Sequence, residues 1–131
     1  MFTFRNLNIF TSILSGLLFA ILLFQPRIIF MLFEMSHGPS AAFIARRAAM
    51  LFLGLVVLAY SSRNSTELGA IRSISLCIST TMLSLAVLGS VEFIRGFAGV
   101  GIVPAIITET LLGVFYVRVF RKHSGKTTTV Q

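Results

Sequence analysis

The sequence contains no tryptophan, one cysteine, two histidines and four acidic residues among 131. A lone Cys77 cannot close an internal disulfide, and its apolar neighbours suggest a small residue packed between helices. His37 and His123 stand too far apart to form a metal-ligand motif, so no metal or cofactor is expected. The glycine-rich stretch Gly96–Gly101 follows no strand, which makes it a turn and not a phosphate cradle. With no Ser–His–acid arrangement either, the chain reads as non-enzymatic.

Charge is the next shortage. Charged residues make up 11% of the chain, whereas a soluble domain carries about 25%. Hydrophobic residues reach 56% and the mean hydropathy is +0.93. A surface this poor in charge does not suit water. The solvent expected for the chain is lipid. The formal net charge of +7 raises the possibility of nucleic acid. Nucleic-acid binders gather Lys and Arg on one solvated face, whereas here these residues flank or interrupt apolar runs, as in membrane proteins.

What the sequence has in abundance is long apolar segments. The runs 7–33, 41–60, 70–94 and 102–120 each approach or exceed the roughly 20 residues that cross a hydrocarbon core. The first run is too long for a signal-peptide core and is read as an uncleaved helix kinked at Pro26. Residues 34–40 form a first loop marked by Gly38-Pro39, residues 61–69 a polar second loop, and 96–101 a tight third one. Strands of about ten alternating residues, the mark of a membrane β-barrel, do not occur. The expected fold is all-α: a single polytopic membrane domain, 1–131, built as an antiparallel bundle of four transmembrane helices. Residues 121–131 make a basic tail, expected to be disordered.

Orientation follows from the bias of positive charge. The side holding both termini and the second loop carries Arg5, Arg63, Arg72, Arg118, Arg121, Lys122 and Lys126. The opposite side has Arg27, Arg46, Arg47 and Arg95. Both termini are therefore expected in the cytoplasm. His37 reads as a solvated loop residue, and His123 as part of the basic tail.

Depth then suggests a charged cluster. At 1.5 Å per residue, Glu109 lies about 10 Å below Ile102, Arg46 and Arg47 about 8–9 Å below Ala41, and Arg27 about 9 Å below Phe33. Glu92 ends the third run beside Arg95. Ionisable groups at that depth cost several kcal/mol unless paired or hydrated. The expected site is thus an intramembrane cluster of Arg27, Arg46, Arg47, Glu92 and Glu109, with Arg46 or Arg47 paired to Glu109. Gln25, Ser90, Thr108 and Thr110 are candidates to complete its hydrogen bonds. The cluster reads either as a clasp that sets helix register or as a site for a proton, an anion or a lipid head group. Small residues Ala105 and Gly113 share a stripe with Glu109 and Tyr116, while Ile107, Leu111 and Val114 suit lipid. The hydroxyls of the third run, Ser73 to Ser84, are expected to bond their own backbone or a neighbouring helix.

Gln25-Pro26 near the end of the first run, the stretch Phe43–Arg46 with Gly54, and Gly113 with Tyr116 form a pattern across most of the chain. In it the chain resembles small four-helix bacterial inner-membrane proteins of uncharacterised role. The resemblance implies a fold and an inner-membrane location, and no activity. Small four-helix drug exporters are similar in length but carry their working Glu in the first helix, where this chain has no Glu before Glu34. The leading expectation is a membrane protein that acts by helix association, as a homo-oligomer or as an accessory subunit of a larger membrane complex. The alternative is a small transporter or channel using the Glu/Arg cluster. The expected partners are the lipid bilayer and another copy or another membrane protein, with no nucleic acid.

Overall fold

The computed structural model describes residues 3–34 and 38–124. They form five helices and no strand: α1 (Phe4–Phe24), α2 (Pro26–Leu32), α3 (Pro39–Ser62), α4 (Leu68–Ile94) and α5 (Val103–Ser124), the last preceded by a 3-10 turn at Val100–Ile102. Four stretches, Phe4–Phe24, Ala41–Ser62, Leu68–Ile94 and Val100–Ser124, are long and apolar enough to cross a membrane.

The first run, expected as one kinked helix, is two helices. Gln25 leaves helical geometry at φ −138°, ψ 60° while its N–H still bonds the Ile21 carbonyl. Proline has no N–H and disfavours helical backbone in the residue before it, so α1 must stop there. The same ring then suits the first position of α2, where an N–H would be unpaired anyway. Proline thus ends one helix and begins the next.

α4 ends with equal definition. Gly96 adopts φ +75°, its N–H bonds the Phe93 carbonyl, and the Phe97 N–H reaches the Glu92 carbonyl. That pair of bonds is a Schellman cap, and its positive φ favours glycine. The chain next folds onto the corner after α2, where the Gly99 N–H donates to the Phe33 carbonyl at 2.6 Å. A Cβ on Gly101 would collide with the Leu32 carbonyl oxygen, and one on Gly99 with the Glu34 side chain. Close backbone approach is why this turn needs its glycines.

The long helices associate as two hairpins. α1 packs along α3 and α4 along α5, and α1 also touches α5. One core cluster joins Phe4 and Leu7 to Ile71, Ile78, Met82, Leu112, Tyr116 and Val119. Another joins Leu22 and Phe30 to Ala45 and Ala49. α3 meets α1 through small residues, Ala45, Ala49 and Ala59, all buried. That stripe decides the fate of Arg46 and Arg47. Successive helical residues point about 100° apart, so with Ala45 and Ala49 inward both arginines are exposed. The same geometry overturns the expected burial of Cys77. The inward stripe of α4 is Ile71, Ser75, Ile78, Ser79 and Met82, which leaves Cys77 exposed.

The C-terminal segment also differs from expectation. α5 continues through Arg121, Lys122 and His123 to Ser124, because cations in the last turn oppose the negative end of the helix dipole. The expected disorder of the tail beyond 124 and the assignment of His37 to a solvated loop lie outside the described residues.

Candidate functional site

Two polar constellations lie between the helices, one at each end of the Glu109–Tyr116 stripe. The first is a cavity of about 330 Å³. Its walls come from α1 (Leu18, Leu22), α2 (Ile29), α3 (Phe52), α4 (Leu85, Gly89), the 3-10 turn (Ile102) and α5 (Ala105). Within this apolar lining the ionisable groups are Glu92 and Glu109. No cation lines it.

Of the five residues expected to cluster, the fold therefore brings together two, both acidic. Arg27, Arg46 and Arg47 are exposed, and Arg47 lies over the Phe43 ring, 5.8 Å from its centre. The expected pairing of Arg46 or Arg47 with Glu109 does not form, because α3 packs along α1 with both arginines turned outward. Among the described residues the ion pair within 4 Å is Glu92 with Arg95, at 3.5 Å and one turn apart. Arg95 was placed beside Glu92 in the sequence, but outside the expected set. Glu109 has no such partner. The candidate auxiliaries bond elsewhere: Ser90 donates to the Ala86 carbonyl, Thr108 to Pro104 and Thr110 to Ile106.

The chemistry of such a cavity is restricted. A carboxylate among apolar side chains needs a countercharge, and a proton or a bound cation supplies it. Glu109, with no cation beside it, repels an anion, while Glu92 shares its charge with Arg95. Apolar walls favour a guest with hydrocarbon or aromatic surface. Glu92, with its side chain 34% exposed, marks where the cavity approaches the protein surface.

The second constellation is a hydrogen-bond relay across three helices. Tyr116 is fully buried, and its hydroxyl donates to Asn8 Oδ1 at 2.6 Å. Having spent its one hydrogen, it accepts from Thr11 Oγ1 at 3.0 Å. Asn8 Nδ2 then donates to Ser62 Oγ at 3.0 Å, and Ser62 donates to the Leu58 carbonyl at 2.6 Å. The relay has one direction throughout, from Thr11 through Tyr116, Asn8 and Ser62 to a backbone acceptor. Ser12 Oγ reaches the Val56 carbonyl beside it at 3.4 Å. Ser75, also buried, has no hydrogen-bond partner for its Oγ.

Sequence reasoning missed this relay, though a signal was present. Asn8, Thr11, Ser12 and Ser15 recur at helical spacing within an apolar run, and all four are buried. That pattern marks an inward polar stripe. The hydroxyls singled out on α4 behave partly as expected: Ser79 and Thr81 bond their own helix.

No protein-family model, curated protein or solved structure matches the chain.

Proposed function

We propose that this chain is a non-enzymatic integral membrane protein that takes up a cation in the cavity between its two hairpins, with Glu109 as the binding carboxylate. Four helices cross the bilayer as antiparallel neighbours, and both termini lie on the cytoplasmic side, where the positive charge is concentrated. The inverted distribution of polarity supports the membrane reading. Asn8, Thr11, Ser12, Ser15, Ser75 and Ser79 are buried, while Ile13, Met31, Ile44, Leu51 and Ile94 are each more than 60% exposed. Lipid rewards that arrangement and water penalises it. The proposed location is a bacterial inner membrane, as the resemblance implies.

The observation that carries the functional reading is Glu109, unpaired within a cavity lined by a second carboxylate and otherwise apolar. The cargo class is a proton or a lipophilic organic cation. An anion does not suit the unpaired Glu109 carboxylate, with no basic group among the described residues of the lining. The test is binding of tetraphenylphosphonium to the purified full-length protein by isothermal titration. Saturable binding that is lost in Glu109→Gln and weakened in Glu109→Asp is expected. Equal binding by the wild type and Glu109→Gln rejects the site.

A second reading, helix association as a homo-oligomer or accessory subunit, has its own support. Arg46 and Arg47 stand exposed on α3, at a depth where a charge needs a partner or must reach toward the head groups. Native mass spectrometry of the protein from its own membrane tests this. A reproducible assembly that dissociates in Arg46→Gln/Arg47→Gln supports association through α3. A monomer throughout removes it.

A further inference from the structure

At the opposite end of the molecule from the acidic cavity, the ends of several helices converge around a recess of about 360 Å³. Thr3, Phe4 and Arg5 come from the start of α1, Arg63, Asn64 and Ser65 from the turn after α3, and Lys122 and His123 from the last turn of α5. Ile71 and Val119 form its apolar floor. Arg5, Arg63, Lys122 and His123 thus face one space from three separate segments. Among the described residues, no Asp or Glu lines it.

Part of this basic character has a local explanation. Lys122 and His123 offset the negative end of the α5 dipole, and His123 Nδ1 lies 2.8 Å from the Val119 carbonyl. Arg63 folds back on Tyr60, with one guanidinium nitrogen 2.5 Å from its carbonyl and the ring centre 3.7 Å away. Arg5 has no such reason to be there. It sits at the positive end of the α1 dipole, where an acidic residue would be favoured, and Thr3 makes no side-chain cap. The free N–H groups of that first turn add to the positive field.

We propose that this recess binds a phosphate group, the chemistry shared by an acidic phospholipid head group and free phosphate. Arg5 supplies a charge that no local role explains, Lys122 adds a second cation beside its role at the α5 terminus, the remaining Arg63 N–H groups add donors, and Asn64 and Ser65 can bond ester oxygens. The volume lies within the range of small-ligand sites, about 300–1,000 Å³. If the chain spans the bilayer, the recess lies at head-group level on the cytoplasmic side, where basic pockets between helices capture anionic lipids. The choice of a lipid source rests on that membrane reading. Binding of the phosphate group does not.

The experiment uses the full chain in a mild neutral detergent, incubated with phosphatidylglycerol and phosphatidylcholine of matched acyl chains and read by native mass spectrometry. Phosphatidylglycerol is expected to be retained at least fivefold over phosphatidylcholine. Arg5→Gln/Lys122→Gln should bring the ratio to about one. Arg118→Gln/Arg121→Gln, which removes equal charge from exposed positions outside the recess, should leave it unchanged. Both variants must keep the wild-type far-UV spectrum; if the recess variant loses it, Lys122→Gln alone serves as the test. A parallel titration with sodium phosphate separates the sources. Displacement of the lipid by millimolar phosphate assigns the site to the phosphate group itself, and resistance to it assigns the site to the whole lipid. No preference in the wild type, or equal loss in both double variants, overturns the proposal. A chain that stays soluble without detergent would instead overturn the membrane reading, and the phosphate titration would still test the recess.

Discussion

Tyr116→Phe should destabilise the protein, and adding Asn8→Leu should return part of the loss. Phenylalanine keeps the ring, so the packing around position 116 is retained and the change is one oxygen atom. That oxygen donates to Asn8 and accepts from Thr11. Thr11 can recover by rotating to donate to its own helix, as Thr108 and Thr110 do. Asn8 Oδ1 has no such recourse, because Asn8 is fully buried. An interhelical hydrogen bond in a membrane contributes about 0.6 kcal/mol on average and up to about 1.7, while an orphaned buried acceptor costs about 1–3 kcal/mol. A loss of about 1–2 kcal/mol is therefore expected for Tyr116→Phe. In Tyr116→Phe/Asn8→Leu the stranded acceptor is gone, and replacing both partners by apolar groups can be nearly neutral. The double variant should be more stable than Tyr116→Phe by about 1 kcal/mol. The assay is a reversible SDS titration followed by energy transfer between a dye on the exposed Cys77 and a second dye at the chain start. A Tyr116→Phe loss below about 0.3 kcal/mol, or simple additivity in the pair, would refute the relay as a structural unit.

Three further outcomes are expected in the same assay. Gly113→Ala should destabilise by about 1–3 kcal/mol through overpacking, since a Cβ there lies 2.6 Å from Leu83 Cγ; Leu83→Ala should relieve part of that loss, and strict additivity would count against the α4–α5 contact. Ser75→Ala should raise stability or leave it unchanged, because it removes a buried hydroxyl with no partner; a loss above about 1 kcal/mol would reveal a bond that the fold does not display. Glu109→Gln should not lower the SDS midpoint, since no ion pair is broken; a drop as large as that of Tyr116→Phe would restore the reading of Glu109 as a structural clasp.

Helix positions and the candidate lipid-facing residues were legible in the chain because they depend on local composition. Glycine-rich 96–101 turns, and four apolar runs of sufficient length stand out on hydropathy alone; Pro26 marked an irregularity that read as a kink, where the fold ends one helix and begins another. Ile107, Leu111 and Val114 fall on an exposed face as expected, and Gly113 and Tyr116 on a buried one, because helical periodicity is likewise local. The rise along each helix was legible too, and it led to the expectation that the charged residues share one level. Position along a helix does not say which helix neighbours which. The pairing of α1 with α3 and α4 with α5 was set by close approach of small residues, Ala45, Ala49 and Ala59 in one hairpin and Gly89 and Gly113 in the other. That packing turned Arg46 and Arg47 outward, left Glu109 to share a cavity with Glu92, and brought Asn8 within bonding distance of Tyr116 from 108 residues away. The sequence by itself determined the helices and their polarity. The tertiary structure alone decided the partners, because a side chain's partner depends on the rotation of two helices about their axes, and only their mutual packing sets that.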